Sequence, residues 1–222
     1  FIFVLALTFS AGTFDWIMSI DAHWFSTLFA MKNFVSAFLH GSAVVMVIVI
    51  LLHLQGYFPK LNKAHLQDFS KYMFILGIMW AYMWFSQYLL IWYANMPEET
   101  VYYQIRASSE WKGLFYVNVI LNWLFPFLFL MLNKIARNMN ALLITAAVLI
   151  VGMWVDLYLQ IMPGSTISET TPVGLNSIGF IEIGMFLGFL GIFIFVVTRS
   201  LSKANIIPEN HPYLEESLMH KL

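Results

Sequence analysis

The sequence predicts an all-α fold: a polytopic transmembrane helical bundle of six spans. Of its 222 residues, 60% are hydrophobic and only 10% charged, with a mean hydropathy of +0.77. The apolar residues fall in runs of about 20 or more, the length a helix needs to cross about 30 Å of hydrocarbon. A membrane β-barrel is excluded, because its strands alternate apolar and polar residues over about 10 positions and these runs are continuous.

Taken in order, the spans cover residues 1–20, 25–54, 69–96, 114–133, 141–162 and 178–200. The first ends beyond Asp15 in a short polar link, Asp21-Ala22-His23, and the second begins almost at once. Later connections are marked by Gly56, Pro59 and Asn62, by Pro97 and the loop 97–109, by Asn138 and Asn140, and by Pro163, Gly164, Pro172 and Gly174, residue types that punctuate helices. Residues 1–205 thus form a transmembrane domain, and 206–222 a polar cytoplasmic tail.

Orientation follows from Lys and Arg, which cytoplasmic loops hold in excess. Lys60, Lys63, Lys71, Lys134, Arg137, Arg199, Lys203 and Lys221 lie on one side, and only Lys32, Arg106 and Lys112 on the other. The C-terminus is therefore expected in the cytoplasm. Most acids, Glu98, Glu99, Glu110 and Glu169 among them, fall on or near the opposite side. Phe1 already stands within an apolar run, so a longer chain is expected, with more of the bundle ahead of it.

Composition also narrows function. The formal net charge is −1 and no basic block could follow a phosphate backbone, which excludes nucleic acid as a partner. Without cysteine the chain has no thiolates for an iron–sulfur cluster and no covalent haem attachment. His40 and His53 lie on one predicted helix, roughly 20 Å apart along it, so they do not sandwich a haem iron. No redox cofactor is expected on this chain alone.

Ionisable residues inside the apolar runs carry the functional expectation, since charges at membrane depth are costly. Counted from the ends opposite the basic loops, Asp15, Lys32, Asp156 and Glu182 all fall roughly 6 to 11 Å into the membrane. The expectation is one polar layer in which the four converge and Lys32 pairs with an acid. Lys32, Ser36 and His40 recur at four-residue steps, so one helix face continues the polar path inward. These five, Asp15, Lys32, His40, Asp156 and Glu182, are the proton-pathway candidates; a neutral His40 bonded to a neighbouring helix is the structural alternative.

Asp21 beside His23 is the kind of carboxylate–imidazole pair that accepts protons from a quinol, with helix capping by Asp21 as its competitor. Trp80, Trp84, Tyr88 and Trp92 form one drifting stripe, read either as helix packing with an interfacial anchor at Trp92 or as a wall of a lipid-tail or quinone groove. Asn118 and Asn122 are read as interhelical hydrogen-bonding residues. Gln87 and Gln160 carry no role on spacing alone.

Two longer motifs carry a resemblance. FDWIMSIDAHWFST at 14–27 and FSQYLLIWYANMPEET at 85–100 resemble the ActF membrane subunits of bacterial alternative complex III, similar in turn to the NrfD and PsrC membrane subunits. The resemblance implies that the six spans are the last six of about ten helices, arranged around two four-helix bundles. It implies a bacterial inner-membrane location and partners that hold the redox centres: an ActC-like paralogue, an iron–sulfur subunit, multihaem cytochromes c, and in some assemblies a haem-copper oxidase, together with lipids. Quinol or menaquinol is the implied small molecule, with Asp21, His23, Gln87 and Tyr88 as the quinol-binding candidates.

The resulting expectation is a non-redox membrane subunit of a complex that oxidises quinol and reduces cytochrome c or another periplasmic acceptor. It would scaffold its neighbours and conduct protons through the polar layer. A secondary transporter with an intramembrane polar site and a purely structural anchor are the alternatives.

Overall fold

Inside hydrocarbon every backbone N–H and C=O must find its partner within the chain, so each apolar run closes into a helix. The computed structural model describes residues 1–59, 61–165, 179–203, 205–206 and 212–219, and among these all regular structure is helical. The elements are α1 (Ile2–Trp16, extended by a 3₁₀ turn Met18–Ile20), α2 (Leu28–Leu54), α3 (Lys63–Ala94), α4 (Pro97–Arg106), α5 (Lys112–Val119), a π-helical turn (Ile120–Leu124), α6 (Phe125–Leu130), α7 (Asn133–Ala136), α8 (Met139–Ser165), α9 (Phe180–Leu201) and α10 (Leu214–Met219). Six helical stretches among the described residues are long and apolar enough to span a membrane, the fourth being α5 to α6, Lys112–Leu130. The protein is a multi-pass membrane protein.

Several boundaries differ from the sequence expectation for local reasons. The third span starts at Lys63 rather than at residue 69. Asn62 caps it by accepting from the His65 N–H at 2.9 Å, while the His65 ring accepts from the Asn62 N–H. It ends at Asn95, whose positive φ of 50° closes the helix. Pro97 then opens α4 where a loop was expected; Pro at the first turn, Glu98 and Glu99 beside it and Arg106 at the far end are all favourable helix-end chemistry. Pro163 and Gly164, expected in a turn, lie within the last turn of α8. Residues 166–178, which include Glu169, Pro172 and Gly174, and residues Lys60 and Lys221 lie outside the described residues.

The fourth span is interrupted. Pro126 has no N–H to give the carbonyl of Asn122, four residues earlier, and the Phe125 N–H reaches back to Ile120 instead, which widens one turn to a π-helix. Asn122 sits in that turn.

Helix α2 packs between α3 and α8, with α5 to α6 against α3 and α8 and with α1 against α2. The end of the bundle near α7 is an apolar core, with Leu39, Ala43, Met46, Ile50, Met73, Leu142 and Leu149 buried. At the α4 end Trp24, Phe29, Ile91, Tyr102 and Tyr103 make an aromatic cluster. Helix α9 buries none of its described residues.

Candidate functional site

Between the two ends lies a polar network built by three spans. Helix α2 contributes Lys32, Ser36 and His40, α8 contributes Asp156 and Gln160, and the fourth span contributes Asn118 and Asn122; all seven are buried. Lys32 Nζ lies 2.6 Å from Asp156 Oδ2, with both side chains about as buried as the hydrophobic core. The same carboxylate oxygen accepts from Gln160 Nε2 at 3.1 Å and from Ser36 Oγ at 3.3 Å, and its partner Oδ1 accepts from Asn118 Nδ2 at 3.1 Å. Four donors around one carboxylate are what keeps an ion pair tolerable away from water.

The network continues inward. Asn122 Nδ2 donates to Asn118 Oδ1 at 2.6 Å and to the Gly152 carbonyl at 3.0 Å. That orientation leaves Asn122 Oδ1 as an acceptor, and His40 Nε2 lies 2.8 Å from it, so Nε2 carries a proton. The other ring nitrogen, Nδ1, is 2.5 Å from the Ser36 carbonyl and 3.3 Å from Ser36 Oγ. The Ser36 hydroxyl is thus equally placed, at 3.3 Å, between His40 Nδ1 and Asp156 Oδ2, and its single proton serves one of them at a time.

Gly152 makes this approach possible. A Cβ there would meet Asn122 Cγ at 2.9 Å, closer than side chains pack. Gly77 faces the Asn122 backbone carbonyl with ordinary room, 3.7 Å from an added Cβ.

A second ion pair stands at the α4 end. Arg106 Nη2 donates to Asp21 Oδ2 at 2.9 Å and to the Gln160 carbonyl at 2.9 Å, and Nε donates to the Leu159 carbonyl at 2.8 Å. Pro163 lacks the N–H that would otherwise satisfy Leu159 within α8, so Arg106 fills the gap the proline leaves. The guanidinium lies 3.3 Å from the Tyr102 ring centroid, and Trp24 stacks on that ring at 3.8 Å. Burial pushes the Tyr102 phenol up to about 12, against the opposing pull of Arg106. Burial likewise holds the Tyr103 phenol well above its ordinary value, with Tyr102 adding to the effect.

The structure brings together only part of the expected layer. Lys32, His40 and Asp156 join through the network; Asp15 and Glu182 do not. Asp15 is exposed near the end of α1, where its carbonyl accepts from the Ser19 hydroxyl. Glu182 accepts from the Gly179 N–H at 2.8 Å and caps its own helix. A similar count from the span ends does not make them neighbours, because α1 turns only Thr13 fully inward and α9 buries none of its residues.

Of the quinol candidates Asp21 and His23, Asp21 is held by Arg106 and His23 is exposed. Both still line an open groove of about 540 Å³ with Glu98 and Tyr102. Gln87 is buried and faces the network, whereas Tyr88 stacks on Trp84 at 6.0 Å and meets Tyr103 edge-on. Of the stripe, Trp80 is fully buried and Trp92 exposed, and Tyr88 and Trp92 line a second open groove of about 420 Å³. His53 bonds the Phe58 carbonyl at 2.7 Å, remote from the network, and among the described residues no group of three or more acidic, His or Cys side chains could hold a metal.

Asn118 and Asn122, expected to join helices by hydrogen bonds, do so to Asp156, Gly152 and His40 and thereby belong to the site, whereas Arg106 and Gln160 had no role assigned from the sequence. The signal all four share is a polar side chain on a buried helical face, which spacing alone does not distinguish from ordinary helix-joining residues. Compared with protein-family models and with curated protein sequences, the chain gives no match.

Proposed function

We propose that this protein is a non-redox membrane subunit of a quinol-oxidising respiratory complex, as the resemblance of its two motifs to ActF-type subunits suggests. Its own contribution is to scaffold partner subunits and to relay protons in the half of the membrane that holds Asp156. On this reading the chain lies in a bacterial inner membrane with the C-terminus cytoplasmic, the α4 end faces outward, and partner subunits carry the haems and iron–sulfur clusters.

The observation that carries the relay is the Ser36 hydroxyl poised between His40 and Asp156. In the geometry seen, Nδ1 lies against the Ser36 carbonyl, which only accepts, so Nδ1 donates there and the hydroxyl donates to Asp156. When Nδ1 gives up that proton, the ring must draw back from the carbonyl before the hydroxyl can turn to it. One rotor thus couples the charge of a mid-membrane imidazole to a carboxylate already facing a lysine. Beyond His40, among the described residues, the buried Ser70 and Thr145 hydroxyls donate only to carbonyls of their own helices, so on this reading the path serves one side of the membrane.

The test uses the complex purified through a tag on this subunit and placed in liposomes. Co-purifying multihaem cytochromes and an iron–sulfur protein support the respiratory assignment. Asp156→Asn and Ser36→Ala should lower proton translocation per quinol oxidised while the complex still assembles. Unchanged proton movement in both variants would leave the network a structural tie.

The transporter reading gains one observation, the π-helical turn at Asn122, since transporters place substrate sites at interrupted helices. It predicts uptake of a small solute by the protein alone in liposomes, abolished by Asn122→Leu.

A further inference from the structure

The inner network and the outer ion pair approach each other at Gln160, whose side chain donates to Asp156 and whose backbone carbonyl accepts from Arg106. Beside it is a small cavity of about 30 Å³, whose lining includes Lys32, Gln87, Arg106, Asn118, Asp156 and Gln160. Two atoms at this cavity have no hydrogen-bond partner among the described residues: Gln87 Nε2, a donor, and Gln160 Oε1, an acceptor. Gln87 is 6% exposed and Gln160 5%, and these two amide atoms are themselves shielded from solvent.

A buried amide group left unpaired is costly, and here a donor and an acceptor are left over at one place. A cavity must offer about 10–15 Å³ to hold a water, and this one exceeds that. The lining is polar, unlike the apolar cavities that stay dry.

We propose that the cavity is a binding site for an ordered internal water that accepts from Gln87 Nε2 and donates to Gln160 Oε1. The inference deepens the proton-relay reading, on which its functional half rests: the water ties α3 into a network otherwise made by α2, α8 and the fourth span. Its second proton is free to engage the polar groups around Asp156. Asp156, Lys32 and Arg106 are the charged groups facing it, with Tyr102 and Tyr103 also in its lining. The bound water would supply a mobile link between Asp156 and the α4 end, where the Arg106 guanidinium only donates.

A cryo-electron-microscopy map of the protein in its complex, in lipid nanodiscs and at a resolution that shows ordered waters, tests the site directly. A peak is expected within about 3 Å of both Gln87 Nε2 and Gln160 Oε1. The peak should be lost in Gln87→Leu while the Lys32–Asp156 pair stays. A direct Gln87–Gln160 hydrogen bond, or a cavity without density beside two well-defined glutamines, overturns the proposal. Proton translocation in Gln87→Leu is read separately: a wild-type rate with the peak lost means that the water exists but lies off any relay. A wild-type rate in Asp156→Asn and Ser36→Ala as well would fail the relay itself and leave the hydration site standing.

Discussion

The two halves of this bundle are made by the same helices and solve opposite problems. On α2, Lys32, Ser36 and His40 face their neighbours with polar groups, and barely one turn later Ala43, Met46 and Ile50 face them with hydrocarbon. On α8 the order runs the other way, from Leu142, Ala146 and Leu149 to Asp156 and Gln160. Antiparallel packing brings like to like. The α7 half is held by close packing, which tolerates small changes of shape; the α4 half is held by a few hydrogen bonds whose partners must all be present. Among the described residues the hydrogen-bonded network of the α4 half therefore stops at His40 and Asn122, where apolar side chains take over.

The largest expected effect comes from orphaning one charge. Asp156→Ala leaves Lys32 buried without its carboxylate and should cost about 3–5 kcal/mol of stability. Lys32→Met combined with Asp156→Leu should recover much of that loss, as read by denaturant unfolding in detergent. If the double variant is as unstable as the single, the pair is not what holds the α4 half together.

A smaller effect separates two glycines around Asn122. Gly152→Ala forces the Asn122 amide away from the Gly152 carbonyl and from His40, and should cost about 1–3 kcal/mol, whereas Gly77→Ala meets only ordinary contact and should be near neutral. Thermal unfolding of the two variants side by side decides it. Equal losses would mean that backbone room, and not the amide's position, matters at the π-helical turn.

The aromatic cover at the α4 end should declare itself at high pH. Tyr102 ionises near 10.0 when exposed and at about 12 when folded, so an unfolded chain loses this proton first. Its contribution to stability is complete below pH 10 and fades as the pH rises through about 12. A spectroscopic tyrosinate titration that finds all tyrosines ionising together near their ordinary value would show that water reaches the Arg106 cluster.

The smallest effect belongs to the apolar half. Ile50→Val removes one methylene from a fully buried site and should cost about 0.5–1.5 kcal/mol, with proton translocation unchanged. A change in proton movement there would mean that the apolar core takes part in conduction and that the two halves are not functionally separate.

Much of the architecture was legible in the chain itself. Six spans follow from runs of apolar residues, because a helix is the local solution to an unsolvated backbone. The face Lys32, Ser36 and His40 follows from a spacing of four. Depth was legible too, since every residue adds the same rise, and it correctly brought Lys32 and Asp156 to one level. What the sequence did not determine is the direction in which a side chain points around its helix axis. Asp15 and Glu182 have a similar count of residues from their span ends yet stay outside the network, whereas Arg106, in a stretch too short and too polar to read as more than a loop, is the residue that packing draws in to Asp21 and to the carbonyl that Pro163 leaves unpaired. Rise along a helix is local and additive; rotation about its axis is set by which neighbours it packs against, and only the tertiary structure decides that.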